Sequence, residues 1–363
     1  MIIEGSDEKR KAVLVNVGSG KDLEKPLGEL EKLAATLGYE TAAYMTQRRE
    51  RPDKAYYIGS GKLDELKSVV KATESDVVIF DNEVGGTQLN NLEKYLGVPV
   101  MDRATLIIEI FAEHAVSNEG KLQVELMRKK KMLPRVLGQG TILSRQGGGG
   151  AGGGGARRGG GEQQQEIDKR TIRAEIRDLE RRIAKLGSER EIRREKRVKS
   201  RIKVVSLVGY TNAGKSTLMN VLTKAGVLEE DKLFATLDPV LRKMRLDDGT
   251  EFLLVDTVGF ISGLPHDFVH AFRSTLEETK NSDLILHVVD GSDPEAAEQF
   301  AVVNEVLASI GADEVPSIVV VNKLDAASDD VAVPVGENTV MISAKYKRGI
   351  DELKEKIASA FQK

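Results

Sequence analysis

Residues 202–224 read Ile-Lys-Val-Val-Ser-Leu-Val-Gly-Tyr-Thr-Asn-Ala-Gly-Lys-Ser-Thr-Leu-Met-Asn-Val-Leu-Thr-Lys, and this stretch decides the architecture of the C-terminal half. Gly209, Tyr210, Thr211, Asn212, Ala213, Gly214, Lys215, Ser216 and Thr217 fit G-x-x-x-x-G-K-[ST], a loop that cradles phosphates. The apolar run before it reads as a strand and residues 215–224 after it as a helix, which is the context the motif requires. Gly209 and Gly214 allow the backbone to turn tightly enough for consecutive N–H groups to face an anion, and the helix N-terminus adds its dipole. Lys215 can reach the β- and γ-phosphates, and the Ser216 hydroxyl can hold Mg²⁺. A purely structural glycine turn is the bland alternative, and the flanking strand and helix argue against it.

Composition sets bounds around this loop. A chain of 363 residues has room for two or three domains, and 40% hydrophobic with 31% charged residues describes a soluble globular protein. No cysteine is present, which excludes disulfides and thiolate metal sites and suits a reducing cytoplasm. Neither a signal-length apolar segment nor a run approaching a membrane span is visible. Charge is unevenly placed. Residues 121–145 carry seven Lys/Arg against one Asp/Glu, and residues 157–203 carry seventeen against nine. These segments are net +6 and +8, which leaves -17 for the remainder of a chain of net charge -3. A basic middle in an acidic protein points to a polyanionic partner.

Upstream, apolar strand-like runs at 12–17, 76–81 and 98–101 alternate with helix-like runs at 23–37 and 87–96, the rhythm of a small parallel sheet. Gly59-Ser60-Gly61-Lys62 superficially repeats the phosphate motif. It lacks the earlier glycine, and Leu63 stands where a hydroxyl is needed, so it reads as a turn capping a helix over 63–71. Residues 120–133 read as a helix bearing the cationic block Arg128-Lys129-Lys130-Lys131. Residues 147–161, almost all glycine, read as a mobile loop, either a tether or a cationic finger that orders on RNA. Residues 162–199 then read as a long charged helix. Its seam of Ile172, Ile176, Leu179, Ile183 and Leu186 is expected to break at Gly187-Ser188 and to pack on the 120–133 helix. Its charged outer face is either solvated or a nucleic-acid contact. Neutralising Lys129, Lys130 and Lys131 is expected to weaken RNA binding.

The nucleotide domain continues in a fixed order. Leu253-Leu254-Val255-Asp256-Thr257-Val258-Gly259 is an apolar strand ending in Asp-x-x-Gly, so Asp256 can hold Mg²⁺ through water and the Gly259 amide can sense a γ-phosphate. Residues 318–325 end a second buried strand with Asn322-Lys323-Leu324-Asp325. Asp325 can accept two hydrogen bonds from guanine N1–H and its exocyclic amine, whereas adenine would leave the carboxylate unpaired. Lys323 can lay its stem on the base. Ser343-Ala344-Lys345 follows a third strand, where its backbone would close over the base. Four elements in this order point to GTP.

These details resemble the HflX family of GTPases, within the Obg–HflX group of the translation-factor class. The resemblance runs through Tyr57-Ile58-Gly59-Ser60-Gly61-Lys62, Phe80-Asp81-Asn82-Glu83, Asp102-Arg103, residues 120–126, Leu143-Ser144-Arg145-Gln146 and Gly161-Glu162. In the C-terminal part it includes Phe234-Ala235-Thr236-Leu237-Asp238-Pro239, Asp256-Thr257-Val258-Gly259-Phe260 and Leu264-Pro265-His266-Asp267. It implies an N-terminal α/β subdomain over 1–118, an antiparallel helical subdomain over 119–200 and a P-loop G domain over 201–363. It further implies a cytoplasmic, monomeric GTPase that meets the large ribosomal subunit and its rRNA, some relatives splitting stalled or idle ribosomes. Phe234, Ala235, Thr236, Leu237 and Asp238 would form the first switch, with Thr236 joining Ser216 and Asp256 on Mg²⁺. Lys215, Thr236 and Gly259 would act on the reacting phosphate. Two departures stand out: Val240-Leu241 replace two threonines before Arg242, and the glycine tract replaces a shorter segment containing proline.

Many GTPases place a glutamine after Asp-x-x-Gly to orient the attacking water, and here that place holds Phe260. Intrinsic turnover is therefore expected to be slow. Asn212 matches relatives in which this asparagine helps hold K⁺, although asparagine suits such a turn in any case. His266 and His270, four apart, lack the glutamate of a metalloprotease and read as the surface of the second-switch helix. Two other readings stay open: a purine-triphosphate-driven RNA remodeller, and a nucleotide sensor in which hydrolysis is irrelevant.

Overall fold

The computed structural model describes residues 9–20, 22–146, 158–199, 202–223, 233–234, 240–262, 273–327 and 336–362. The chain divides into two compact units, Met1–Glu113 with Val124–Arg182, and His114–Gln123 with Ile183–Lys363.

The first unit is built on four parallel strands in the order β2-β1-β3-β4: β1 (Arg10–Gly18), β2 (Tyr39–Arg48), β3 (Val77–Phe80) and β4 (Val100–Asp102). Ala12 to Val15 and Val77 to Phe80 are buried on both faces, as central parallel strands must be. The crossovers are α1 (Lys25–Thr36), α2 (Ser60–Thr73) and α3 (Gly86–Leu96), and α4 (Arg103–His114) follows β4. The turn expected of residues 59–62 is corrected: only Gly59 precedes α2, and Ser60, Gly61 and Lys62 form its first turn. Strand β2 is absent from the strand-like runs of the sequence because it lies at the sheet edge, where polar side chains interrupt its apolar pattern.

Two long helices follow, α5 (Asn118–Gln146) and α6 (Arg158–Lys199). Within the first unit, Lys129 pairs with Glu175 at 2.8 Å and Lys130 with Glu180 at 3.0 Å; within the second, Arg190 of α6 pairs with Glu119 at 3.1 Å. Early residues of one helix meet late residues of the other, as antiparallel neighbours do. Two expectations are corrected. Helix α6 runs through Gly187-Ser188 without a break, because one glycine costs a helix only about 1 kcal/mol and the flanking Arg, Lys and Glu residues are strong helix formers. Arg158 to Gly161 belong to α6 rather than to the glycine loop, whose remaining residues, 147–157, lie outside the described residues. The seam is present, with Ile172 and Leu179 buried.

The cationic block is engaged internally. Besides the two pairs above, Arg128 meets Glu109, and Lys131 lies 2.7 Å from Asp102, which is fully buried. Asp102 also accepts from the Thr105 amide at 2.9 Å, so Lys131 joins α5 to the end of the sheet through a carboxylate that is hydrogen-bonded as well as paired. The free patch expected of Lys129, Lys130 and Lys131 is thus a row of ion pairs.

The second unit contains a six-stranded sheet in the order β10-β9-β8-β5-β7-β6, parallel except for β6. Its strands are β5 (Lys203–Gly209), β6 (Val240–Arg245), β7 (Glu251–Asp256), β8 (Leu284–Asp290), β9 (Ser317–Asn322) and β10 (Thr339–Met341). The helices are α7 (Lys215–Thr223), α8 (Arg273–Lys280), α9 (Ala296–Ser309) and α10 (Ile350–Gln362). Val205, Leu207, Phe252, Leu254, Leu286 and Val320 form the apolar centre with Leu218 of α7 and Leu353 of α10. Strands β5, β7, β8 and β9 end on the same edge, where parallel sheets bind ligands.

Candidate nucleotide site

Each motif sits at the C-terminal end of one of these parallel strands. β5 delivers Gly209, and the chain loops through Tyr210, Thr211, Asn212, Ala213 and Gly214 into α7, whose first residues are Lys215, Ser216 and Thr217. Asn212 adopts φ 60°, a left-handed conformation that asparagine tolerates better than most residues, which gives it a local structural role. Gly214 has φ 89°, and a Cβ there would lie 2.2 Å from Asn322 Nδ2. Only glycine fits.

Lys215 is buried and donates to the carbonyls of Gly209 at 3.1 Å and Tyr210 at 2.8 Å. Burial pushes its ammonium down to about 8, partly offset by the Asp256 carboxylate. A desolvated cation folded onto its own loop is suited to transfer onto phosphate oxygens. Ser216 Oγ donates to Asp256 Oδ2 at 2.9 Å, which joins the two expected Mg²⁺ ligands across α7 and β7. A hydroxyl and a carboxylate are hard oxygen donors, and this set fits Mg²⁺.

After β7, Thr257 is fully buried and donates to the Leu207 carbonyl at 2.7 Å, and Val258 is buried beside it. At Gly259 a Cβ would stand 3.1 Å from Lys215 Nζ, so this backbone passes directly over the Lys215 ammonium. The next residues are zipped to the phosphate loop. Thr211 N donates to the Phe260 carbonyl at 2.7 Å, and Phe260 N donates to the Gly209 carbonyl at 3.1 Å. The Phe260 ring is 1% exposed, so the place of the water-orienting glutamine holds a core side chain. The Tyr210 hydroxyl accepts from Ser262 N at 2.7 Å and lies 2.6 Å from Ser262 Oγ. Motif reading did not find this latch, because nothing in the string G-Y-T-N indicates where the tyrosine turns.

The Asn-Lys-x-Asp segment begins at the end of β9. Asn322 Nδ2 donates to the Ala213 carbonyl at 3.0 Å, and its Oδ1 accepts from the Ala344 amide at 3.0 Å. One 2% exposed amide thereby holds the phosphate loop, Asn-Lys-x-Asp and Ser-Ala-Lys together. Leu324 N donates to the Ile342 carbonyl at 3.2 Å. Lys323, at φ 63°, pairs with Asp290 at 2.8 Å, a partner the sequence reading missed; its signal was an acidic residue ending the apolar run 284–289. Asp325 is exposed, and the hydroxyl of Ser343 holds its carboxyl below the usual range, so it remains an ionised acceptor. Lys345 extends beside Tyr346. Behind the site, His287 stacks on Phe300, and burial pushes it down to about 4, leaving it neutral.

Phe234 is buried, at φ 60°. Ala235, Thr236, Leu237 and Asp238, with His266 and His270, lie outside the described residues. Among the described residues no cluster of His, Asp or Glu forms a metal site of its own, and no helix is long and apolar enough to cross a membrane.

Comparison with known proteins agrees with this geometry. Residues 204–323 match the family described as 50S ribosome-binding GTPase. Residues 24–112 match GTP-binding GTPase N-terminal, and residues 114–197 match GTP-binding GTPase Middle Region. The GTPase HflX of Caldanaerobacter subterraneus subsp. tengcongensis is 49% identical over 351 residues, 96% of this chain and 80% of that protein. The GTPase HflX of Escherichia coli K12 is 42% identical over 354 residues, 96% of this chain and 82% of that one. Among solved structures, a GTP-binding protein from the hyperthermophilic archaeon Sulfolobus solfataricus in complex with GDP is 25% identical, with a TM-score of 0.52, over 97% of this chain and 99% of that chain.

Proposed function

Because the chain belongs to the HflX family of GTPases, and is thereby a P-loop enzyme of GTP hydrolysis, we propose that its nucleotide state governs binding to the large ribosomal subunit. In this reading the GTP form binds the subunit, hydrolysis releases it, and the cycle separates or rescues ribosomes under stress. The observation that supports the reading is the Asn322 clamp, which ties the strand end leading to Asp325, the carboxylate that selects guanine in this reading, to the phosphate loop and to Ala344. The match of residues 204–323 to a ribosome-binding GTPase family, together with the basic middle of the chain, supports this choice of partner.

The site residues then take these roles. The amides of residues 209–217 and the ammonium of Lys215 hold the β- and γ-phosphates. Ser216 and Asp256, with Thr236 from the first switch, would hold Mg²⁺, which when bound neutralises charge on the phosphate oxygens. The Gly259 amide donates to the γ-phosphate, and the Phe260 zipper fixes that amide against the loop. Asp325 selects guanine, the Lys323 stem covers the ring, and Ser343, Ala344 and Lys345 close over it. Phe260 offers no polar atom to the attacking water, so turnover by the isolated protein is slow and the ribosome completes the site. Asn212 would contribute to a K⁺ site that accelerates hydrolysis over Na⁺.

Co-sedimentation with separated ribosomal subunits tests the reading. Retention on the large subunit with a non-hydrolysable GTP analogue, and release in GDP, is the expected result. Equal retention in both states would leave a nucleotide sensor without a switch. GTP turnover measured with and without large subunits should rise with them. Equal turnover in K⁺ and Na⁺ would remove the ion.

A further inference from the structure

The ion pairs of the helical hairpin sort its cations into two sets. Lys129, Lys130 and Lys131 face carboxylates of their own unit and are neutralised there. The second set lies on the outer surface of α6. At 100° per residue, Arg170, Arg173, Arg177 and Arg181 fall within an 80° sector, well away from the buried Ile172 and Leu179. All four are exposed, and no other residue between positions 170 and 181 falls in their sector. No carboxylate lies between them, and Glu166, which shares their face, stands at the N-terminal end of the row. Asp178 and Glu180 flank the strip, the first held by Arg181 at 2.5 Å and the second by Lys130 at 3.0 Å. Arg173 and Arg177, at its centre, have no ion pair among the described residues. The outer pairs, Arg170–Glu166 and Arg181–Asp178, are exposed pairs within one helix and hold their arginines weakly.

A helix face kept merely soluble mixes the two signs, and pairs of opposite charge at i and i+4 stabilise it. Four arginines without an interspersed acid repel one another instead, and the arrangement is relieved by an external polyanion. Their guanidinium groups form a row spanning about 16 Å along the helix. Arginine gives planar, bidentate recognition of phosphate oxygens, which lysine does not. Resting on the large-subunit reading above, we propose that Arg170, Arg173, Arg177 and Arg181 form the strip that docks on the phosphate backbone of large-subunit rRNA, and that the Lys129–Lys131 block does not. Helical RNA presents phosphates and 2′-hydroxyls rather than readable base edges to such a face, so the contact is one of shape and charge. The strip anchors the protein, and the nucleotide site elsewhere in the chain sets when the anchor is used.

The test uses the full-length chain carrying Arg173→Gln and Arg177→Gln, with a control carrying Lys32→Gln and Lys71→Gln, two exposed lysines of the same unit. Binding to large subunits, loaded with a non-hydrolysable GTP analogue, is measured across a salt series. Loss of two phosphate contacts lowers the slope of log K against log salt by about 2 and weakens binding by about tenfold or more. The lysine control keeps the wild-type slope, and GTP turnover without ribosomes is unchanged in both variants. Repeating the series on protein-free large-subunit rRNA should reproduce the loss. An arginine variant that matches wild type, or a lysine control that falls equally, overturns the strip while leaving the ribosomal reading intact. A loss seen on intact subunits but not on bare rRNA assigns the strip to a ribosomal protein and overturns the RNA contact. Failure of the wild-type protein to bind large subunits in either nucleotide state defeats the functional reading itself, and the strip with it.

Discussion

Asn322→Ala should uncouple the two ends of the nucleotide site. Asn322 makes two hydrogen bonds, one to the Ala213 carbonyl and one from the Ala344 amide, and all three residues are at most 2% exposed. Truncation leaves a buried carbonyl and a buried amide unpaired, each at about 1–3 kcal/mol, with the low end applying if water enters the space. A loss of about 2–6 kcal/mol follows, roughly a 5–20 °C fall in melting temperature for a unit of this size. Gly214→Ala probes the same contact from the other side. Its methyl would clash with Asn322 Nδ2 and would also sit at φ 89°, a backbone strain of about 1–2 kcal/mol. In the Asn322→Ala background the clash disappears and the backbone strain alone remains. The two substitutions should therefore be non-additive by at least about 1 kcal/mol. Denaturant unfolding of wild type, both single variants and the double variant measures the coupling, and calorimetry with GDP reports whether the base and phosphate subsites still act together. Strict additivity, or an Asn322→Ala variant within about 0.5 kcal/mol of wild type with unaltered GDP affinity, would refute the clamp.

Four further outcomes are expected. Lys215 titrates at about 8 in the nucleotide-free protein against 10.5 when unfolded, so the unfolded chain binds more protons between these values and stability rises with pH across that window. Phosphate oxygens restore the proton, so calorimetry in buffers of different ionisation heat should find most of a proton taken up on GTP binding at pH 9 and almost none at pH 6.5. Asp325→Asn exchanges acceptor for donor and should move preference from guanine toward xanthine nucleotides, a shift that competition binding with GDP and XDP would detect. Tyr210→Phe removes the acceptor of the Ser262 amide; GTP turnover should fall severalfold while GDP affinity holds, and an unchanged rate would show that the latch is incidental. Lys131→Met leaves the buried Asp102 without its cation and should destabilise the first unit by about 3–5 kcal/mol in denaturant unfolding, with a loss below about 1 kcal/mol contradicting the assignment.

The candidate nucleotide site was legible because its motifs depend on backbone shape and strand ends, which local strings encode. Gly209, Asp256 and Asn322 each needed a strand leading to them, and each is the last residue of one. The central strands β1 and β3 were equally plain, since burial on both faces leaves an unbroken apolar run. Strand β2 was not, because an edge strand alternates with polar residues and blends into its surroundings. The first residues of β6 read as a departure within the first switch, although Val240 is the start of an antiparallel edge strand opposite Asp256. Charge was the least legible property. Lys129, Lys130 and Lys131 look like a free cationic block in one dimension, and their partners Glu175, Glu180 and Asp102 come from helix α6 and strand β4, remote in the chain. A run of like charges can be interpreted only once its neighbours in space are known.

The pairing of Val240 with Asp256 limits how far a message can travel. Thr236 precedes Val240 by four positions, and even a fully stretched peptide of that length reaches only about 14 Å. Chain length alone therefore keeps Thr236 near the strand pair that carries Asp256, the carboxylate proposed to hold Mg²⁺. Strand β6, on the outside of the sheet, is thus the first described element along the chain after Thr236.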